Sequence, residues 1–297
     1  MSLSNSIKYV SSILLISIII AYYGKQILQL LLSINISYIF IVILISTIQY
    51  ILSAYRWMYI SKYTNLNIDF YDSIKFYYIS SFLNNILPGG IIGDIFRIYK
   101  TSENKNEFYK IGKSFQSVVF ERLSGQLMLF SFFIISLTIY FLREERYLAF
   151  VYLLFPSILV YYIVRYFIKK RIRQAIQKKE IESNFFKIFT GEVFWRHFFI
   201  SFFVILSYIL IYMISAVSLG LEIDYLAFMV FSPIILFSMT LPISIGGWGV
   251  RELTALLVSL LIGLSASASI SVSIIYGLIN LICSLPGLYF LLPLKLR

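Results

Sequence analysis

Six ionisable side chains stand in or beside long apolar stretches of this sequence: Asp94, Arg97, Glu121, Arg122, Arg251 and Glu252. Each costs roughly 2.5–3.5 kcal/mol at a bilayer centre on insertion scales, so their presence asks for a use. Three acids and three arginines allow a neutral buried network. Asp94 and Arg97 are three apart and share a helix face. Glu121 and Arg122 are adjacent, as are Arg251 and Glu252, and neighbours in sequence diverge on a helix, so these pairs need partners elsewhere. Arginine presents a planar fork of donors that suits a phosphate. Arg97 and Arg251 each follow a glycine-rich break, where a helix N-terminus also favours anions. The chemistry implied is the binding of an anionic head group near the membrane interior. Asp94 serves equally well as a helix cap. Glu121 and Arg122 fit an interhelical salt bridge, and Asn84 and Asn85 fit either neutral donors or caps.

The elements that must position these residues are two broken apolar segments. One contains "NNILPGGIIGDIFRIYK" from Asn84, with Pro88, Gly89, Gly90 and Gly93; the other contains "LPISIGGWGVRELTALL", with Pro242, Gly246, Gly247 and Gly249. Aligned at their prolines, Leu87, Pro88, Gly93 and Arg97 fall on Leu241, Pro242, Gly247 and Arg251. The first segment has arms of roughly 14 and 9 residues, too short to cross a bilayer twice. The second is expected to have longer arms and reads as either a re-entrant hairpin or two tilted crossings. Broken ends expose backbone groups that a membrane tolerates only inside protein or along a polar cavity.

The chain of 297 residues is 60% hydrophobic, 18% aromatic and 13% charged, with a mean hydropathy of +0.86. That charge content is about half the usual soluble value. The fold class is an all-α polytopic membrane protein. Run length places full spans at about 7–24, 36–60, 113–141, 147–168, 197–220 and 267–293. No separate soluble domain is expected. The single transmembrane domain 1–297 divides into halves of about 1–141 and 147–297, with a basic loop over about 165–196. Each half reads span, span, hairpin, span. Three spans separate the hairpins, so the second must enter from the opposite face, which is an inverted repeat.

The net charge is +11. Basic residues collect on one side: Lys8, Lys62, Lys75, Lys100, Lys105, Lys110, Lys113, the run from Lys169 to Lys187, Lys295 and Arg297. The other side receives Lys25, Arg143 and Arg146. The bias puts both termini in the cytoplasm and explains the charge without nucleic acid. Tyr22, Tyr23, Tyr55, Trp57 and Tyr59 fall near span ends as interfacial aromatics, and His197 beside Trp195 and Arg196 reads the same way. The lone Cys283 excludes an internal disulfide, and no metal-ligand or catalytic set emerges, so no metal and no cofactor is expected. No nucleotide-binding G-x-x-x-x-G-K-[ST] motif is present.

Together with "ERLSG" at Glu121 to Gly125, the two broken motifs resemble the flippase-like membrane region of lysylphosphatidylglycerol synthases, over nearly the whole chain. The resemblance implies translocation of an anionic phospholipid or lipid-linked head group across the cytoplasmic membrane. In the two-part members, a soluble C-terminal domain makes the aminoacylated lipid. This chain stops at Arg297 without it, so no aminoacyl transfer is expected. Membrane lipids are the expected partners, with a glycan or lipid biosynthetic enzyme as a further one. A small-anion transporter and a non-transporting scaffold are the alternatives.

Overall fold

The structure, a computed structural model, describes residues 3–102, 108–143, 184–185, 187–189, 193–241 and 244–295. Ten helices are named in chain order: α1 Leu3–Leu32, α2 Ile36–Tyr63, α3 Phe70–Ile86, α4 Ile92–Ser102, α5 Phe108–Arg143, α6 Phe194–Ser218, α7 Tyr225–Ser238, α8 Val250–Val258, α9 Ala266–Ser284 and α10 Pro286–Lys295. The protein is an all-α polytopic membrane protein. Five stretches among the described residues are long and apolar enough to cross a membrane: Ser12–Leu32, Ile36–Tyr63, Ile111–Arg143, Phe194–Ser218 and Ala266–Leu292. The span expected at 147–168 and most of the basic loop lie outside the described residues.

Local chemistry sets the boundaries. Asn35, Asp69, Asp224 and Ser265 are N-caps whose side chains accept backbone N–H groups at the starts of α2, α3, α7 and α9. The last expected span is present as Ala266–Leu292; a single turn residue, Leu285, divides it, because Pro286 has no N–H to carry the helix hydrogen bonds through and starts α10. The first span runs on past Gly24 and Lys25 to Leu32.

Both broken segments form hairpins of short helices. The first has arms of 17 and 11 residues, α3 and α4. The second has arms of 14 and 9 residues, α7 and α8, so the expectation of longer arms there is corrected. At about 1.5 Å per residue, every arm falls short of the roughly 30 Å hydrocarbon core. These helices enter the membrane and turn back.

The faces follow from contacts. The N–H of Asn35, at the start of α2, donates to Ser218 O, at the end of α6, at 2.8 Å. α2 and α6 are thus antiparallel, and the turn from α6 into α7 lies on the face where α2 begins. α3 follows α2 and enters from the face where α2 ends. Arg143, at the end of α5, pairs with Asp224 beside α7 at 3.1 Å, which puts the α7 entrance on that same first face. The two hairpins therefore enter from opposite faces and meet tip to tip.

This topology is checked by single cysteines at Tyr71 and Tyr225, which are 62% and 64% exposed at the starts of α3 and α7. With the buried Cys283 as background, an impermeant thiol reagent should label Tyr71→Cys and Tyr225→Cys from opposite sides of sealed vesicles. Labelling of both from one side would refute the opposed hairpins.

Candidate functional site

The hairpin tips are the centre of the site. Pro88 and Ile245 form an antiparallel β-bridge, and the N–H of Gly89 donates to Ser244 O at 3.1 Å. The N–H of Ile245 donates to Ser12 Oγ of α1 at 3.2 Å. Asn84 Oδ1 accepts the N–H of Gly93 at 2.8 Å, so the end of α3 caps the start of α4. Asn84 is thus an acceptor here, and Asp94 does not cap. Two glycines permit the close approach. A Cβ on Gly93 would collide with the Ser80 carbonyl. Gly246 has φ +54° and lies against the Asn85 backbone, leaving no room for a side chain. Pro242 lies outside the described residues, and Gly90 and Gly247 lie in the two turns with positive φ.

The six ionisable residues divide into two clusters. In the first, Arg97 Nη2 reaches Asp94 Oδ1 at 2.6 Å and Glu121 Oε2 at 3.3 Å. Arg122 Nη2 reaches Asp94 Oδ2 at 2.6 Å. The adjacent Glu121 and Arg122 do turn to different partners. Arg56 of α2, which the sequence reading passed over, hydrogen-bonds Glu121 Oε1. The guanidinium of Arg97 also lies over the rings of Trp57 and Tyr77, 4.9 Å from each centroid. Among the described residues three guanidiniums face two carboxylates, a surplus of one positive charge over the neutral network that the six residues alone allow.

The second cluster is closed. Arg251 donates to its own neighbour Glu252, Nη2 to Oε1 at 2.5 Å and Nε to Oε1 at 3.0 Å, and Nε also donates to Ser273 Oγ at 3.0 Å. The expectation that this adjacent pair needs separate partners is corrected. Glu252 folds back to accept the N–H of Gly249 at 2.6 Å, which brings its carboxylate within reach of the long arginine arm. Gly277 makes room, since any Cβ there would strike the Arg251 guanidinium.

Between the hairpins lies a cavity of about 200 Å³. α2, α3, α5, α6, α7 and α9 all contribute to its wall, as do Gly90 and Gly246 of the two tips. Its charged lining is Arg56, Glu121 and Arg122. Arg122 is the open one: its side chain is 38% exposed, against 5% for Arg56 and 2% for Glu121. Arg97, Arg251, Asp94 and Glu252 stand behind the wall. Asn84 and Asn85 line it, and Asn85 exchanges amide contacts with Asn280, which also lines it.

Two aromatic assignments are revised. Trp57 is fully buried, donating from Nε1 to Ser117 Oγ at 3.3 Å, and is no interfacial anchor. His197 is 4% exposed and hydrogen-bonds with Ser124 Oγ at 2.5 Å. Trp195, at 64% exposure, does sit on the outer surface.

Fold and site together define a multi-span membrane protein built on two opposed broken hairpins with a charged cavity between them. The chain belongs to the family described as the lysylphosphatidylglycerol synthase TM region, whose model matches residues 9–287. That family ties the membrane domain to lipid handling. No curated protein and no solved structure matches the chain.

Two substitutions, each set beside a control, test the site as built. Gly93→Ala should destabilise by about 1–3 kcal/mol through overpacking against Ser80, whereas Gly112→Ala, with open space around it, should be neutral. Glu121→Gln leaves three arginines sharing one carboxylate and should destabilise by roughly 3–5 kcal/mol. Arg143→Ala, at the exposed pair with Asp224, should cost about 1 kcal/mol or less. Unfolding midpoints in detergent read all four.

Proposed function

We propose that the protein translocates lipids with an anionic head group across the cytoplasmic membrane, as a flippase or scramblase. The observation that carries this reading is the surplus of positive charge, among the described residues, on the wall of a cavity between the two hairpins. A buried excess charge is costly, and an anion entering the cavity relieves it. The head group occupies the polar cavity while the acyl tails stay in the surrounding lipid. Arg122 makes the phosphate contact, because it is the arginine most open to the cavity, and Arg56 reinforces it from the wall. The reading requires no bond to be made or broken, and its partners are membrane lipids.

Arg122 is also the arginine that can be removed cleanly. Without it, Arg97 still holds Asp94 and Arg56 still holds Glu121, so no buried charge is left alone. In proteoliposomes carrying a labelled anionic phospholipid, Arg122→Ala should slow head-group movement about tenfold or more while the protein stays folded. Arg122→Lys keeps the charge but loses the fork and should fall between. Wild-type movement in a folded Arg122→Ala protein would sink the assignment.

A further inference from the structure

The two arginines assigned to the phosphate come from the first half of the chain, Arg56 on α2 and Arg122 on α5. The second half brings Tyr208 of α6 and Tyr276 and Asn280 of α9 to the same wall. The orientation of Asn280 is fixed. The buried Tyr50 of α2 donates from Oη to Asn280 Oδ1 at 3.0 Å and lies 2.8 Å from Ser81 Oγ of α3. The Tyr50 ring is itself stacked on Tyr78, with 4.8 Å between centroids. Asn85 sets the sense of the amide. Its own Nδ2 donates to the main-chain O of Asn280 at 3.5 Å, so its Oδ1 faces the Asn280 side chain. Only the NH2 of Asn280 can meet an oxygen there, and Nδ2 does so at 3.4 Å.

That NH2 has a donor to spare. An amide nitrogen carries two hydrogens, and Asn85 Oδ1 takes one of them. The two contacts between the asparagines, at 3.4 and 3.5 Å, are also longer than those of Tyr50, at 2.8 and 3.0 Å, and lie beyond the usual N–H···O range. Polar side chains often join helices inside a membrane. A pair that only joined α3 to α9 would gain by closing up and would need no place on a cavity wall, yet both asparagines line the cavity. A donor kept short of acceptors in a membrane interior is costly, and an oxygen entering the cavity relieves that cost.

We propose that Asn280 is the second half's contact to the substrate, its Nδ2 donating to a lipid oxygen close to the phosphate that Arg122 holds, with Tyr50 as its positioning residue. The inference rests on the translocation reading above and deepens it. Two oxygens of a phospholipid offer the required lone pair. One is a non-bridging oxygen of the phosphodiester, and the other is the carbonyl of the ester joining an acyl tail to glycerol. A neutral amide makes either bond without changing the charge of the wall. The substrate is then gripped by both halves at once.

The test follows head-group movement of labelled phosphatidylglycerol in proteoliposomes of the full chain, per folded protein, over a range of lipid fractions. Asn280→Ala should slow movement about tenfold at low lipid fraction and recover toward the wild-type rate at high fraction, which marks lost binding rather than lost fold. Asn280→Ser, which keeps a hydroxyl on α9 but withdraws the NH2, should be as slow. Tyr50→Phe leaves the amide in place but untethered and should slow movement less. Added to Asn280→Ala it should cost nothing more, because it acts through that amide; an additive loss would overturn its positioning role. An ether-linked phosphatidylglycerol, which has no ester carbonyl, separates the two acceptors. If the Asn280→Ala effect disappears with that lipid, the acceptor is the carbonyl; if it persists, the acceptor is the phosphodiester. Wild-type movement at every lipid fraction in both folded Asn280 variants would overturn the inference, and translocation would stand as long as Arg122→Ala is slow. No protein-dependent movement by the wild-type chain would overturn the translocation reading, and this one with it.

Discussion

A helix that stops inside a membrane must find partners for its unpaired backbone groups, and here the two breaks find each other. The bridge between Pro88 and Ile245 and the bond from Gly89 to Ser244 join backbone that would otherwise face hydrocarbon. Side chains complete the satisfaction: Asn84 on Gly93, Glu252 on Gly249 and Ser12 on Ile245. The glycines follow from this contact, because backbone cannot meet backbone closely where a Cβ intervenes. So does the helix arrangement, since α3 and α7 must approach from opposite faces for their ends to meet in the middle.

The two halves share this plan but not its electrostatics. Arg251 and Glu252 neutralise each other within a packed pocket roofed by Trp248 and Tyr276, at 4.9 and 5.7 Å from the guanidinium. The corresponding first-half cluster recruits Arg56 from α2 and opens toward the cavity through Arg122. One hairpin has become a sealed structural joint and the other a charged wall. The break itself also differs in length: residues 87–91 separate α3 from α4, whereas 239–249 separate α7 from α8. Arg97 consequently sits more than a turn into its helix, while Arg251 sits at the very start.

Hydropathy and run length made the class, five spans and both hairpins legible, because lipid demands long apolar helices and penalises their interruption. The motif residues were legible as a group for the same reason: intramembrane charge is rare. Arg56 obeyed that rule too, standing inside the apolar run of α2, but the aromatic residues around it suggested a membrane interface. Its burial arises from α5 and α6 packing on α2, a tertiary fact with no local signature. Asn280, Tyr208 and Tyr276 were equally silent, since single polar or aromatic residues in a span carry no period. The alignment of Arg97 with Arg251 found equivalent positions in the chain but not equivalent surroundings. Adjacent charges misled at Arg251 and Glu252, where a helix start lets a folded-back carboxylate meet its neighbour. They did not mislead at Glu121 and Arg122, in the middle of a regular helix.

The tip contact has a mechanical consequence. Separating the hairpins would strand backbone groups in hydrocarbon, whereas rotating the surrounding helices about the joined tips strands none. Under the proposed translocation, the bridge at Pro88 and Ile245 is the natural fulcrum: the long outer helices are the levers, and access to either leaflet changes by rocking around a stationary midpoint rather than by opening a gate through it.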